Sequence, residues 1–252
     1  MADKIQSAER VSHEDASDNY VFQRSLLAYH KAAEIVSGDV LEVGTGSGYC
    51  VSVIAPSARK FLTLDKNEPE RLHKADNVEF RKMKVPPLAG IPSESFDFVV
   101  SFQVIEHIRR DKEMVEEMSR VLKPGGKLII STPNKDMSLT RNPWHIREYT
   151  PRQFDELLSA YFSYVQPMGV YGKPNVMEYY EENKQSVRNV LKYDVLRSNR
   201  WLPRPLLKIP YDIMNRRNRR KLLNDNTQLT SNIKMDDYYL DNAGPGCFDL
   251  FY

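Results

Sequence analysis

The feature that most constrains this chain is a run of alternating glycines directly behind a short apolar segment. Asp39-Val-Leu-Glu-Val43 is followed by Gly44-Thr-Gly46-Ser-Gly48-Tyr49. A short apolar run that ends on glycine reads as a buried strand. Glycines let the backbone turn tightly and let a ligand approach with no side chain between them. A second apolar run, Phe61-Leu-Thr-Leu-Asp65, ends on an acid 19 positions after Gly46. A carboxylate placed there can accept hydrogen bonds from both hydroxyls of a ribose. Together these segments predict a site for a nucleoside-containing cofactor.

The rest of the body continues the alternation. Tyr20 to Val36 carries Val21, Leu26, Leu27, Ala32, Ala33 and Val36 at helical spacing, with Gly38 where a helix would stop. Asn77 to Phe80 is a weaker third strand, Ser95 to Phe102 a fourth and Lys127 to Thr132 a fifth. Asp111 to Leu122 sets Met114, Val115, Met118, Val121 and Leu122 on one side. It ends at Lys123-Pro-Gly-Gly126, which reads as a helix stop and a turn. Thr150 as N-cap and Pro151 at the first position open a short helix to Leu158. Strands alternating with helices predict a parallel sheet covered on both faces. Such sheets bind ligands at the carboxyl ends of their strands, near the switch point. The segments to watch are therefore 44–49, 65–67, 81–88, 102–107 and 132–148.

Charge decides which cofactor the glycines suit. A dinucleotide site uses G-x-G-x-x-G, which clears room for a pyrophosphate. Here the pattern is G-x-G-x-G, with Tyr49 where that third glycine would stand, and Glu42 lies two positions ahead of Gly44. A carboxylate so near would repel a pyrophosphate but suits an ammonium. S-adenosyl-L-methionine (SAM) has a ribose, an ammonium and no phosphate, so the charges favour SAM over NAD.

Four stretches in order carry a family resemblance: Val40-Leu-Glu-Val-Gly-Thr-Gly-Ser-Gly-Tyr49, Ser95-Phe-Asp-Phe-Val-Val-Ser-Phe-Gln-Val-Ile-Glu-His107, Arg120-Val-Leu-Lys-Pro-Gly-Gly126 and Ser131-Thr-Pro-Asn134. The chain resembles the class I SAM-dependent methyltransferases, most of all the bacterial small-molecule branch that includes quinone-biosynthesis enzymes. The resemblance runs from about Tyr20 to Phe162 and resumes at the last strand. It implies a Rossmann-like, seven-stranded, mostly parallel sheet with helices on both faces and an antiparallel last strand. It implies that Gly44, Thr45, Gly46 and Gly48 line the cofactor and that Glu42 holds the ammonium through water. Asp65 would take the ribose, with Lys66 or Asn67 flanking the adenine. Gln103 and Val104 would bound the cofactor near its sulfonium. Arg24, on the opening helix, could pair with the cofactor carboxylate, or be a solvated surface arginine. One departure stands out. Family members often carry an acid after the third strand, against the adenine amine. Here Phe80-Arg-Lys-Met-Lys-Val-Pro-Pro-Leu88 has none, and backbone groups near Met83 are the expected substitute.

Methyl transfer needs an acceptor held in line and water excluded. It needs a base only when the acceptor keeps its proton tightly, as a hydroxyl does. Two histidines qualify. His107 follows Glu106, a pair expected to brace the loop. His145 lies in Asn142-Pro-Trp-His-Ile-Arg-Glu-Tyr149, a loop that the resemblance places over the acceptor pocket. His145 is the candidate base, with a brace to Glu148 or Tyr149 as its alternative. Trp144 beside it could stack on a flat acceptor or cap the core. Other chemistries find no support. The position where base N-methyltransferases carry Asn/Asp-Pro-Pro-Tyr reads Ser101-Phe-Gln-Val104. Cys50 and Cys247 read as small buried apolar residues, and no metal site is expected.

Tyr161 to Gly169 reads as strand six and Cys247 to Tyr252 as strand seven, with about seventy residues between them. From Lys173 to Lys221 there are 13 Lys and Arg against 5 Asp and Glu, while the remainder holds 23 against 29. The expected division is a polar tail (1–19), a SAM-binding core (20–170), a basic helical insertion (171–243) and the last core strand (244–252). Glu178 to Arg197 reads as helix, and Pro203 to Leu223 as a proline-broken apolar stretch ending in Arg216-Arg-Asn-Arg-Arg-Lys221. Four readings compete for the insertion: a solvated basic face, a lid over the acceptor, a surface for an anionic membrane or lipid-linked acceptor, and a nucleic-acid site. A lid is favoured, with its basic side solvated or reading an anionic acceptor. No apolar run is long enough to cross a membrane and the first residues do not resemble a secretory signal, so a cytoplasmic enzyme is expected. Its expected partner is a small-molecule acceptor (a sugar, quinone-like or lipid-linked hydroxyl) rather than nucleic acid. An RNA or DNA methyltransferase, or a non-catalytic SAM-binding regulator, are the alternatives.

Overall fold

In the computed structural model, residues 11, 12, 14–192 and 202–252 are described. The apolar runs become strands β1 (Asp39–Val43), β2 (Lys60–Asp65), β3 (Val78–Lys82), β4 (Phe96–Phe102) and β5 (Leu122–Pro133). All five are parallel, in spatial order β3-β2-β1-β4-β5. The central strands β1, β2 and β4 are apolar on both faces because both faces are covered, whereas the edge strand β3 carries Glu79, Arg81 and Lys82. Val40 and Phe61 point into one core cluster, and Leu41, Leu62 and Leu64 into the other. The first core is closed by α1 (Asn19–Ala33) and α2 (Val51–Ile54), the second by α3 (Asp111–Val121) and α4 (Pro151–Ser159). Thr150 and Gln153 form a reciprocal capping box at the start of α4.

The sheet departs from expectation at its far edge. Among the described residues it has eight strands, not seven, ordered β3-β2-β1-β4-β5-β8-β6-β7. β6 is Met168–Gly172, later than the predicted Tyr161 to Gly169. Tyr161, Phe162 and Val165 pack on the core from outside any strand, so their hydrophobicity reflects burial without a ladder. The added strand, β7 (Tyr238–Asn242), lies within the stretch predicted to be helical insertion and pairs antiparallel with β6. β8 (Asp249–Phe251) is the last strand, antiparallel between β5 and β6 as expected. Cys247 precedes it and is fully buried. Lys123-Pro-Gly-Gly126 belongs to β5, whose register against β4 shifts between Phe96 and Phe98.

Among the described residues the insertion builds three helices, α5 (Pro174–Leu191), α6 (Arg204–Asp225) and α7 (Thr227–Asn232). The predicted helix through Arg197 ends at Leu191 within the described residues; residues 193–197 and Trp201 lie outside them, as do residues 1–10 of the tail. Pro210 does not break α6. It is exposed, so water can satisfy the carbonyl that a proline leaves unpaired. Asn19 ties α1 to the insertion, its side-chain amide donating to the carbonyls of Thr230 and Ile233 at 2.8 Å each.

Candidate active site

The switch point of the sheet lies between β1 and β4, whose neighbours depart in opposite directions. A single cavity of about 2300 Å³ opens over this edge. Nine of the eleven predicted site residues line it: Arg24, Gly44, Thr45, Gly46, Asp65, Lys66, Gln103, Val104 and His145. Glu42 and Gly48 stand behind its wall.

The three glycines do different work. Gly44 has φ +103, and a Cβ there would meet Val104 Cγ2 at 2.3 Å, so it lets β1 and β4 turn against each other. Gly48, at φ +80, would drive a Cβ to 2.0 Å from the Arg71 carbonyl oxygen; it is needed to seat the 69–71 segment on the loop. Gly46, at φ +60, has nothing within 4 Å of a Cβ and faces the cavity. Its amide donates to Asp65 Oδ2 at 3.1 Å, and the Asn67 amide to Oδ1 at 2.9 Å, which fixes the Asp65 carboxylate at the end of β2. Met83, Lys84 and Val85 form the wall where an adenine-contacting acid was absent, and the Met83 amide is held by the Asp65 carbonyl at 2.8 Å.

Under the loop runs a hydrogen-bond chain that sequence reasoning missed. Thr63 donates to Glu42 and lies 2.5 Å from the Thr45 hydroxyl. Glu42 is 1% exposed, and its Oε1 meets hydrogen-bond geometry with no neighbour. Burial pushes its carboxyl up to about 7, against the lowering effect of the Thr63 hydroxyl and the nearby Tyr29 phenol; Asp65 adds to the rise. Thr63 alternates inward on β2, two residues ahead of Asp65. That spacing was the available signal.

Gln103 adopts φ +56, uncommon for a residue with a side chain, and turns the chain out of β4 into the cavity wall. Arg24 is not a solvated surface arginine. Its Nε lies 2.9 Å from Asp249 Oδ2, and the guanidinium stands beside both the Tyr20 and Phe248 rings, 5.8 Å from each centroid. A cofactor carboxylate would share Arg24 with Asp249, whose own carboxyl is raised by burial and lowered by Arg24 and Gln103.

At the other end, His145 Nδ1 is 2.6 Å from Glu148 Oε1, and Nε2 is 2.8 Å from Asn142 Nδ2. The bonding assigns the proton to Nδ1, donated to the carboxylate, with Nε2 accepting from the amide. His107 Nδ1 lies 3.0 Å from the Trp144 carbonyl, and the Ile146 amide donates to the Glu106 carbonyl at 2.6 Å, so the Glu-His pair does brace this loop. Trp144 is held from above. Its indole donates to Asp212 at 2.9 Å, and Lys208 Nζ stands 3.9 Å from the ring centroid. Both partners are on α6, which with Tyr179, Tyr180 and Asn183 of α5 roofs the cavity. The basic run is partly committed elsewhere: Arg216 and Arg219 each reach Asp18 Oδ1 at 2.6 Å.

Comparison with known proteins gives this geometry a family. Residues 17–164 match the family profile described as a methyltransferase domain. A Mycolicibacterium smegmatis protein named "Probable S-adenosylmethionine-dependent methyltransferase" is 37% identical over 166 residues, 62% of this chain and 64% of that one. A ubiquinone biosynthesis O-methyltransferase of Xanthomonas oryzae is 32% identical over 110 residues, 40% of this chain and 46% of that one. The chain thus spans less than two thirds of the length of either relative. Among solved structures, the N-methyltransferase NodS from Bradyrhizobium japonicum, in complex with S-adenosyl-L-homocysteine (SAH), aligns with a TM-score of 0.51 at 16% identity. The alignment covers 64% of this chain and 83% of that one, and supports the shared fold. By its matched profile and its fold, the chain belongs to the methyltransferase-domain family.

Proposed function

We propose that this chain transfers a methyl group from SAM to a hydroxyl of a small-molecule acceptor, such as a sugar, a quinone-like ring or a lipid-linked alcohol. One observation carries the reading: a single cavity joins the glycine loop and Asp65 at one end to the Glu148–His145 pair at the other. The residues fit SAM. Gly46 leaves an open floor, Asp65 is fixed for two hydroxyls, and Glu42 keeps an unpartnered oxygen under the loop. When bound, SAM supplies a methyl group already activated by its sulfonium.

The chain's own residues then have distinct tasks. Asp65 accepts from the ribose, and Glu42 offsets the ammonium through the Thr45–Thr63 layer. Gln103 and Val104 bound the reacting end. His145 Nε2 exchanges Asn142 for the acceptor hydroxyl and takes its proton, while Glu148 holds Nδ1–H and steadies the imidazolium that forms. Trp144 offers a flat wall beside it. The insertion acts as a lid, with α5 and α6 excluding water from the reaction. No helix among the described residues is long and apolar enough to cross a membrane.

Calorimetric titration with SAH tests the core of this reading. Binding should be seen, and Asp65→Ala should weaken it by about 1–3 kcal/mol through loss of a charged hydrogen-bond pair. No binding at about millimolar SAH, a bound carrying little more than 4 kcal/mol, would overturn it.

A further inference from the structure

We infer that the outer face of α6 docks on an anionic lipid bilayer. At 100° per residue, Leu206, Ile209, Pro210, Ile213, Arg217, Arg220 and Asn224 fall on one stripe of this helix, flanked by Met214 and Lys221. Elsewhere on the described insertion the large apolar residues are buried or partly buried, Tyr239 at 44% excepted, yet on this one helix Leu206 is 64% exposed, Ile209 66%, Met214 46% and Ile213 39%. The stripe is divided along its length. Its first half is apolar and its second half carries Arg217, Arg220 and Lys221, all exposed. No acidic residue lies on it. These three cations form no ion pair with a described residue; Arg220 acts only from a distance on Asp15. Arg216 and Arg219, both of low exposure, share the Asp18 carboxylate, and Arg216 also lies 3.7 Å from Asp15. The fold therefore spends its inward cations on a buried carboxylate and leaves its outward ones to a negative partner.

That division is what an interfacial helix needs: apolar side chains entering the headgroup boundary, and cations meeting anionic lipid beside them. A second copy of the stripe fits less well, because its cations would face cations or apolar residues. A nucleic acid would use the cations but leave Leu206, Ile209 and Ile213 without a role. Pro210, Met214, Arg217 and Lys221 also line the cavity. The docked face thus borders the cavity mouth, and an acceptor with a lipid tail could enter from the surface. The docking itself stands apart from methyl transfer: failure to bind vesicles leaves SAH binding untouched.

Flotation of the full chain, loaded with SAH, with phosphatidylglycerol-containing vesicles and with neutral phosphatidylcholine vesicles is the test. The protein should float with the anionic vesicles, poorly with the neutral ones, and be released by about 0.5 M salt. The double variant Ile209→Asp/Ile213→Asp should bind anionic vesicles at least about tenfold more weakly, and Arg220→Glu about fivefold or more. All three positions lie outside the cavity lining, so SAH affinity and melting temperature should match the wild type and exclude misfolding as the cause. Three outcomes would overturn the proposal: no flotation at low salt, equal binding to both vesicle types, or binding that neither variant reduces. A dimer lost in Ile209→Asp/Ile213→Asp, with no vesicle binding, would assign the stripe to a second copy instead. Salt-sensitive oligonucleotide binding without vesicle binding would assign it to nucleic acid.

Discussion

A carboxyl with 1% of its surface exposed must be neutral or compensated, and Glu42 can be either. Burial lifts its titration from the ordinary 4.5 to about 7. Between these values the unfolded chain releases a proton that the native protein keeps, so stability falls as pH rises through the window and levels off above about 7. The loss is on the order of 3 kcal/mol. Urea midpoints of the cofactor-free protein at pH 5 and pH 8 should show it, and Glu42→Gln should flatten that difference. A ligand ammonium favours the charged form, so SAH affinity should climb from pH 6 to pH 8 in the wild type and not in Glu42→Gln. His145 and Glu148 make a second prediction at this scale. His145→Ala should lower turnover by about 10²-fold with SAH affinity unchanged. Glu148→Gln should lower kcat by about tenfold or more, with KM for the acceptor unchanged, because the neutral amide cannot steady the imidazolium. If both variants instead lose melting temperature and SAH affinity together with activity, the pair only braces the loop.

At the scale of elements, α6 shows what sequence reading could and could not reach. Its charge run was plain, but the division of that run into inward and outward cations depends on Asp18, about 200 positions away and fully buried. No local pattern announces such a pair. Pro210 argued for a break that an exposed helix face does not require. β7 was missed because only Tyr238 of Tyr238–Asn242 is buried, which leaves little alternation to read. By contrast, β1 was legible from its apolar run between Gly38 and Gly44, β2 and β4 from their short apolar runs, and α3 from apolar residues at helical spacing. The prediction that belongs here concerns the clamp. Asp18→Ala removes the carboxylate shared by two guanidiniums of low exposure and should cost about 3–5 kcal/mol. Hydrogen exchange should quicken in α6 and in the turn before α1 more than in the parallel strands. Uniform acceleration across the sheet would show that the clamp supports the whole fold rather than the lid.

For the whole molecule, the sheet order decides where the chemistry can sit. The reversal between β1 and β4 brings Gly44 against Val104; the sequence placed both beside the cofactor, and the contact between them comes from the strand order. The depth of the site was not legible: Thr63, Tyr29, Asp212 and Lys208 join it only through packing. A ligand held between sheet and lid should stabilise both at once. SAH at about 100 times its Kd should add about 2.7 kcal/mol to unfolding, seen as a rise in melting temperature. The glycines separate this effect from fold stability. Both Gly46→Ala and Gly48→Ala incur about 1–2 kcal/mol for the left-handed backbone. Only at Gly48 does the new Cβ strike backbone, the Arg71 carbonyl at 2.0 Å, whereas at Gly46 it enters open cavity. Gly48→Ala should therefore lower the melting temperature of the free protein more. Gly46→Ala should stay closer to wild type until SAH is added, and then fail to gain the ligand's increment. Equal SAH-induced shifts in wild type and Gly46→Ala would mean that the cofactor does not lie on this loop.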